Sequence, residues 1–120
     1  MKKIPNAVGP YSAFRQVGDF LYISGQIPIN PETQKIEETT VEGQAKQVLE
    51  NLTAILENNG LTTANVVKTM ILLDNIGDFK AVNEIYASYF SAPYPARSAF
   101  EVGKLPLGAL VEIEAIAYLK

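Results

Sequence analysis

Apolar and polar residues alternate with a period of two near both ends of the chain, while the middle carries apolar residues at steps of three and four. Ala13 to Val17 and Phe20 to Ser24 flank Gly18-Asp19, a two-residue connection suited to a tight hairpin. In the second run Phe20, Tyr22 and Ser24 share one side, and Leu21, Ile23 and Gly25 the other. Gly25, at the end of that run, marks a close backbone approach. The polar stretch Ile29 to Thr40, broken by Asn30-Pro31, predicts a surface loop. Thr39 and Glu42 then stand in capping-box spacing before a helix whose stripe includes Val41, Ala45, Val48, Leu52 and Ile55, with Gly60 as its stop. Val66 to Leu73 is almost uninterrupted and predicts a central strand covered on both faces. Asp78 is placed to cap a second helix, with Phe79, Val82, Ile85, Tyr86, Tyr89 and Phe90 as its stripe and Pro93 as its end.

The last part of the chain resumes the period of two. Two prolines deliver Arg97 into a short run, and Leu105-Pro106-Leu107-Gly108 separates it from Leu110 to Leu119, so a hairpin-like pair is expected. Arg97, Ala99 and Glu101 share one side of the first run. Leu110, Glu112, Glu114, Ile116 and Tyr118 share one side of the second. The order ββαβαββ predicts one α+β domain over residues 1–120, a mixed sheet with two helices on one face. The other face is expected to carry Phe20, Tyr22, Leu110, Ile116 and Tyr118 beside Ser24, Arg97, Glu112 and Glu114. So much apolar surface predicts self-association, with any ligand crevice at a subunit boundary.

Composition narrows the chemistry. The chain has 120 residues, 48% of them hydrophobic, and a net charge of -3, which leaves no broad basic footprint for nucleic acid or anionic lipid. The segment after Met1-Lys2-Lys3 offers no apolar signal core, and no run reaches membrane-spanning length, so a cytoplasmic protein is expected. Cysteine and histidine are both absent, which removes thiolate metal sites, cysteine nucleophiles and a Ser-His-Asp triad. Acid-base work falls to Glu, Asp, Tyr, Lys, water or backbone. No phosphate loop, dinucleotide fingerprint or metal spacing is present, and no metal is expected.

Arg97 is the sharpest candidate, because its planar fork grips carboxylates in bidentate fashion. From the residues alone a structural ion pair with Glu101, Glu112 or Glu114 is the favoured reading. Glu112 suits a base or a water-orienting group, its pKa raised by partial burial and by Glu114; both carboxylates also suit a charged interface strand. Tyr11 and Ser24 offer hydrogen bonds, and Asn83 a polar group beside the second apolar stripe.

Gly9-Pro10-Tyr11-Ser12, Ser24-Gly25-Gln26-Ile27-Pro28, Asp78-Phe79-Lys80-Ala81-Val82-Asn83, Pro95-Ala96-Arg97-Ser98 and Val111-Glu112-Ile113-Glu114-Ala115 together resemble the RidA (YjgF) family over essentially the whole chain. The resemblance implies a chorismate-mutase-like fold, a homotrimer with ligand clefts between subunits, and hydrolysis of 2-imino acids to 2-keto acids and ammonia without a cofactor. It implies that Arg97 grips the substrate carboxylate and Glu112 positions or activates water, with Tyr11, Ser24, Gly25, Asn83 and Ala99 at other cleft positions. Two departures stand out: Ala99 occupies a usual cysteine position, keeping the backbone N–H but not the thiol, and Ala13 occupies a position that is often glutamine. A non-catalytic carboxylate-binding regulatory trimer is the alternative. A ribonuclease or translation inhibitor, also associated with the family, fits an acidic chain without histidine poorly.

Overall fold

The first hairpin forms as its spacing predicts in the computed structural model, which describes residues 1–120. Strand β1 (Phe14–Val17) pairs antiparallel with β2 (Phe20–Gln26), Val17 lying opposite Phe20. Gly18 takes φ 60° in the connection, a conformation that costs an L side chain about 1–2 kcal/mol. The expected loop from Ile29 to Thr40 is less irregular than its composition suggests, because β3 (Ile29–Asn30) and β4 (Lys35–Ile36) pair within it. Asn30 closes that turn: its side chain accepts from the Glu32 N–H at 2.8 Å, and its carbonyl accepts from the Gln34 N–H at 2.7 Å.

Helix α1 (Val41–Asn58) begins one residue later than the capping-box spacing places it. Thr40, in extended conformation, accepts from the Gly43 N–H at 3.0 Å and is the cap in place of Thr39. Gly60, at φ 75°, turns the chain out of the helix, and the Leu61 N–H donates to the Leu56 carbonyl at 2.9 Å. Strand β5 (Val66–Leu73) follows, and then α2 (Phe79–Ala87). Asp78 does not cap α2, because its backbone is already helical; Asn75 instead accepts from the Gly77 N–H at 2.8 Å in the tight turn before it. The helix ends at Ala87, well before Pro93, where the Ser88 hydroxyl donates to the Ile85 carbonyl at 2.6 Å.

The C-terminal strands correct one expectation. Strands β6 (Ala96–Glu101) and β7 (Val111–Tyr118) do not pair; the sheet order is β1-β2-β7-β5-β6, with β5 between them. Only the β5–β6 pairing is parallel. The crossover through α2 returns the chain beside β5. The shorter connection through the turn at Pro106–Gly108 then carries it past β5 to the opposite side.

Both helices lie on one face of this mixed sheet, so the α+β architecture is as expected. Val48, Leu49, Ile55 and Val82 meet Leu21, Ile71, Ile113 and Ala117 in the core, each essentially without solvent contact. The alternate residues of β7 and β5 face away from the helices, so β5 is covered on one face within the chain, not on both. Leu110 leaves the uncovered set as well, since it packs against the core. Phe20, Tyr22 and Tyr118 remain on the bare face, with Tyr22 46% exposed. Replacement of Thr40 by Ala removes the α1 cap and is expected to lower stability by about 1 kcal/mol, read as a lower urea midpoint with an unchanged slope.

Candidate functional site

Arg97 enters the fold at the start of β6, opposite Thr69 of β5. Thr69 is buried toward the helices, so Arg97 lies on the helix side of the sheet edge and not on the bare face. There it meets α2. Nη1 donates to Asn83 Oδ1 at 2.8 Å, and the guanidinium carbon lies 5.3 Å from the Phe79 ring centre and 4.9 Å from that of Tyr86. Phe79, Asn83 and Tyr86 recur at i, i+4 and i+7, one face of the helix. The Tyr86 hydroxyl is fixed in turn against Thr69 Oγ1 at 2.9 Å in the buried interior, and burial raises its pKa.

This cradle positions the cation without neutralising it. Each aromatic contact contributes about 0.5–1 kcal/mol at an exposed site. No carboxylate of the chain pairs with Arg97: the ion pairs join Lys2 to Glu57, Lys3 to Glu32 and Lys120 to Asp19. Glu101 is engaged elsewhere, accepting from the Ile76 N–H at 3.0 Å. The structural ion pair open from sequence is therefore not formed within the chain. Ala99 follows on the same side of β6, opposite Ile71 and half-buried.

Glu112 occupies the other face. It lies opposite Leu72 on β7, with Gly25 of β2 packed against its carboxylate. The β2–β7 pairing is irregular between Ile23 and Gln26, which brings the Gly25 backbone to the carboxylate so closely that a Cβ there would overlap it. Burial, and to a lesser extent the charge of Glu114, raises the Glu112 pKa above the ordinary carboxylate value. Ser24 donates its hydroxyl to the Ser12 carbonyl at 2.6 Å, and the exposed Tyr11 accepts from the Val8 N–H at 3.3 Å. Tyr11 and Ser24 also border a concavity of about 650 Å³ on the bare face.

The sequence-predicted residues thus fall into two groups, Arg97, Asn83 and Ala99 at one sheet edge and Tyr11, Ser24, Gly25 and Glu112 toward the other. Glu112 on β7 is two strand spacings from β6, about 10 Å, Ser24 and Gly25 on β2 are three, about 14 Å, and the two groups use opposite faces. One chain does not bring Arg97 to Glu112. Phe79 and Tyr86 were legible in sequence only as apolar stripe; the signal for their second role is that Asn83 shares their helical face. Arg15 and Lys68, which also line the concavity, carry no motif.

A braced guanidinium without an acidic partner and a strand carboxylate of raised pKa are the two charged features of this small α+β domain. The chain belongs to the Endoribonuclease L-PSP family, the group of the RidA (YjgF) proteins, whose profile matches residues 1–119. It is 47% identical over 115 residues to the human 2-iminobutanoate/2-iminopropanoate deaminase, covering 96% of this chain and 84% of that protein. Among solved structures, RidA from an Antarctic Psychrobacter is 46% identical with TM-score 0.93, covering 97% of this chain and 94% of that one. TdcF from E. coli with bound serine is 38% identical with TM-score 0.92, covering 97% of this chain and 93% of that one.

The Glu112 environment has a pH signature. A folded-state pKa above 4.5 means that the folded chain retains a proton which the unfolded chain has released, so this group's contribution to stability falls as pH rises from about 4.5 through the folded value. Glu112→Gln is expected to remove that part of the slope and Glu114→Gln to reduce it, in urea unfolding followed across the acidic range.

Proposed function

We propose that the protein hydrolyses 2-imino acids to 2-keto acids and ammonia, in clefts where one copy supplies Arg97 and another supplies Glu112. The observation that carries this reading is the posture of Arg97, braced by Asn83, Phe79 and Tyr86 and left without an acidic partner. Its remaining N–H groups suit the two oxygens of a carboxylate. The name of the human relative and the serine bound to TdcF support a small amino-acid-derived substrate.

The split between the two groups, together with the aromatic residues on the bare face, supports self-association; we propose the homotrimer that the family resemblance implies. In such a cleft Gly25 lets a ligand approach the Glu112 carboxylate, while Tyr11 and Ser24 form the wall. Ala99, two residues beyond Arg97, offers a backbone N–H near the anchor.

The chemistry asks little of the protein, because an imine carbon is already electrophilic. Glu112 takes a proton from water as its oxygen bonds to the imine carbon, and the carbon–nitrogen π pair moves onto nitrogen. That proton passes to the nitrogen, giving a carbinolamine; Glu112 then carries the hydroxyl proton to the same nitrogen as the carbon–nitrogen bond breaks and the carbonyl forms, so ammonia leaves a keto acid. No cofactor takes part. A raised carboxyl pKa makes Glu112 a better base than an ordinary glutamate, provided that the working pH leaves it ionised. Arginine serves the anchor better than lysine because two parallel hydrogen bonds set the plane of the imino acid. A net charge of -3 and the absence of histidine weigh against the nuclease in the family description.

Coupling to a threonine dehydratase, with semicarbazide trapping the remaining imine, measures the activity. Wild type is expected to hasten imine loss, and Arg97→Ala to lower kcat/KM by about a hundredfold or more, as expected for a charge-assisted bidentate contact. Wild type with no acceleration but with keto-acid binding is a carboxylate-binding module. Composite clefts make a second forecast. Arg97→Ala and Glu112→Gln chains, each inactive, are expected to recover roughly a quarter of wild-type activity when unfolded and reassembled together, since one arrangement in four restores an intact cleft.

A further inference from the structure

We propose that Thr69, buried beneath the sheet edge, is a positioning residue for Arg97: its hydroxyl fixes the Tyr86 ring, and the ring aims the guanidinium. The kinetic consequence rests on the proposed function, since Thr69 serves the carboxylate anchor without touching substrate.

Thr69 is out of place by residue type. The other buried residues of β5 are Val66, Ile71 and Leu73, and a valine would fill the space of Thr69 without carrying a hydroxyl into the core. Besides Tyr86, four polar side chains are buried, and three of them secure main chain. Gln26 donates to the Ser24 carbonyl, Gln44 donates to the Glu38 carbonyl and accepts from the Leu110 N–H, and Asn51 donates to the Ile29 carbonyl. Thr69, the least exposed of the four at 1%, secures none. Its hydroxyl meets only that of Tyr86, at 2.9 Å.

That hydrogen bond reaches the anchor through one ring. Tyr86 is buried; its ring stacks on Phe90, centroids 4.4 Å apart, and the Arg97 guanidinium carbon lies 4.9 Å from its centre. A ring held by stacking alone is free to slide and tilt, and a bond at its far end removes that freedom together with the freedom of whatever rests on it. Asn83 holds Nη1 at 2.8 Å, which leaves rotation about that bond for the ring to stop. Arg97 is exposed, so without both restraints its long side chain would be spread over many rotamers. Burial raises the Tyr86 pKa, so the hydroxyl keeps its proton and the anchor gains a brace, not a counter-charge.

The test compares Thr69→Val, which keeps the volume, Tyr86→Phe, which keeps the ring, the two combined, and Thr69→Ser, which keeps the hydroxyl. Thr69→Val and Tyr86→Phe each strand a buried hydroxyl and are expected to lower the urea midpoint, whereas the double variant removes both hydroxyls and is expected to recover most of it. Aim does not recover. In the imine assay KM is expected to rise roughly tenfold in these two variants and in the double variant, with kcat within about twofold of wild type and Thr69→Ser close to wild type in both. A KM that returns with the midpoint in the double variant means a structural role only and overturns the proposal. So does a wild-type KM in Thr69→Val, which would leave the ring to its stack on Phe90. A second readout needs no turnover. The Arg97 Nε–Hε resonance, displaced by the ring currents of Phe79 and Tyr86, is expected to move toward the position of a free arginine in Thr69→Val and in the double variant. An unmoved resonance overturns the proposal whether or not imines are hydrolysed. A resonance that moves in a protein without imine activity supports it and removes only the proposed function, so the two readings fail separately.

Discussion

Five strands present two faces, and the chain supplies helices for one of them. Each helix carries a single apolar stripe, and both stripes are spent against the side of the sheet that holds Leu21, Ile71, Ile113 and Ala117. What remains is a broad surface of Phe20, Tyr22, Ile116 and Tyr118 interleaved with Arg15, Lys68, Glu112 and Glu114. Apolar surface and unpaired charge in such a mixture fit neither a dry core nor a solvated exterior. On this face Glu112 is half-buried beside Glu114, and both circumstances raise its pKa.

The two groups of the candidate site are prepared in different ways. Arg97 is held by two rings and one amide oxygen, so its orientation would cost little entropy if a ligand bound there. Glu112 sits against the irregular stretch of β2 at Gly25, where a missing side chain leaves the room its carboxylate occupies. Burial that raises a carboxyl pKa also makes the ion unstable in its seat, and that tension suits a group that must accept a proton and release it again.

Much of the fold was legible because local spacing and tertiary packing agree. The stripe of α1 and its Gly60 stop, the span of β5, and the hairpin at Gly18-Asp19 each follow from a local rule that the packing satisfies. The misreadings have separate causes. Thr39 and Asp78 were plausible caps by residue type, but capping depends on backbone dihedrals, and Thr40 and Asn75 had the geometry. The pairing of β6 was misjudged because two alternating runs near each other in sequence suggest a hairpin, while the helix before β6 had already committed it to the far side of β5. That one error moved Arg97 to the wrong face. The roles of Phe79 and Tyr86 as a bed for the guanidinium escaped notice since an aromatic stripe looks the same whether it packs on leucine or on a cation.

Every group that braces Arg97 comes from the continuous stretch between Thr69 and Arg97 itself, a strand, a helix and the parallel strand it returns to. The grip is consequently a local property of one supersecondary unit, owing nothing to neighbours. On the proposed function, a solitary protomer already holds the anchor ready, and a second copy would add only the opposing wall. Capture and turnover would then have separate structural origins, and evolution could alter the second by reshaping contacts between copies while the first stays intact.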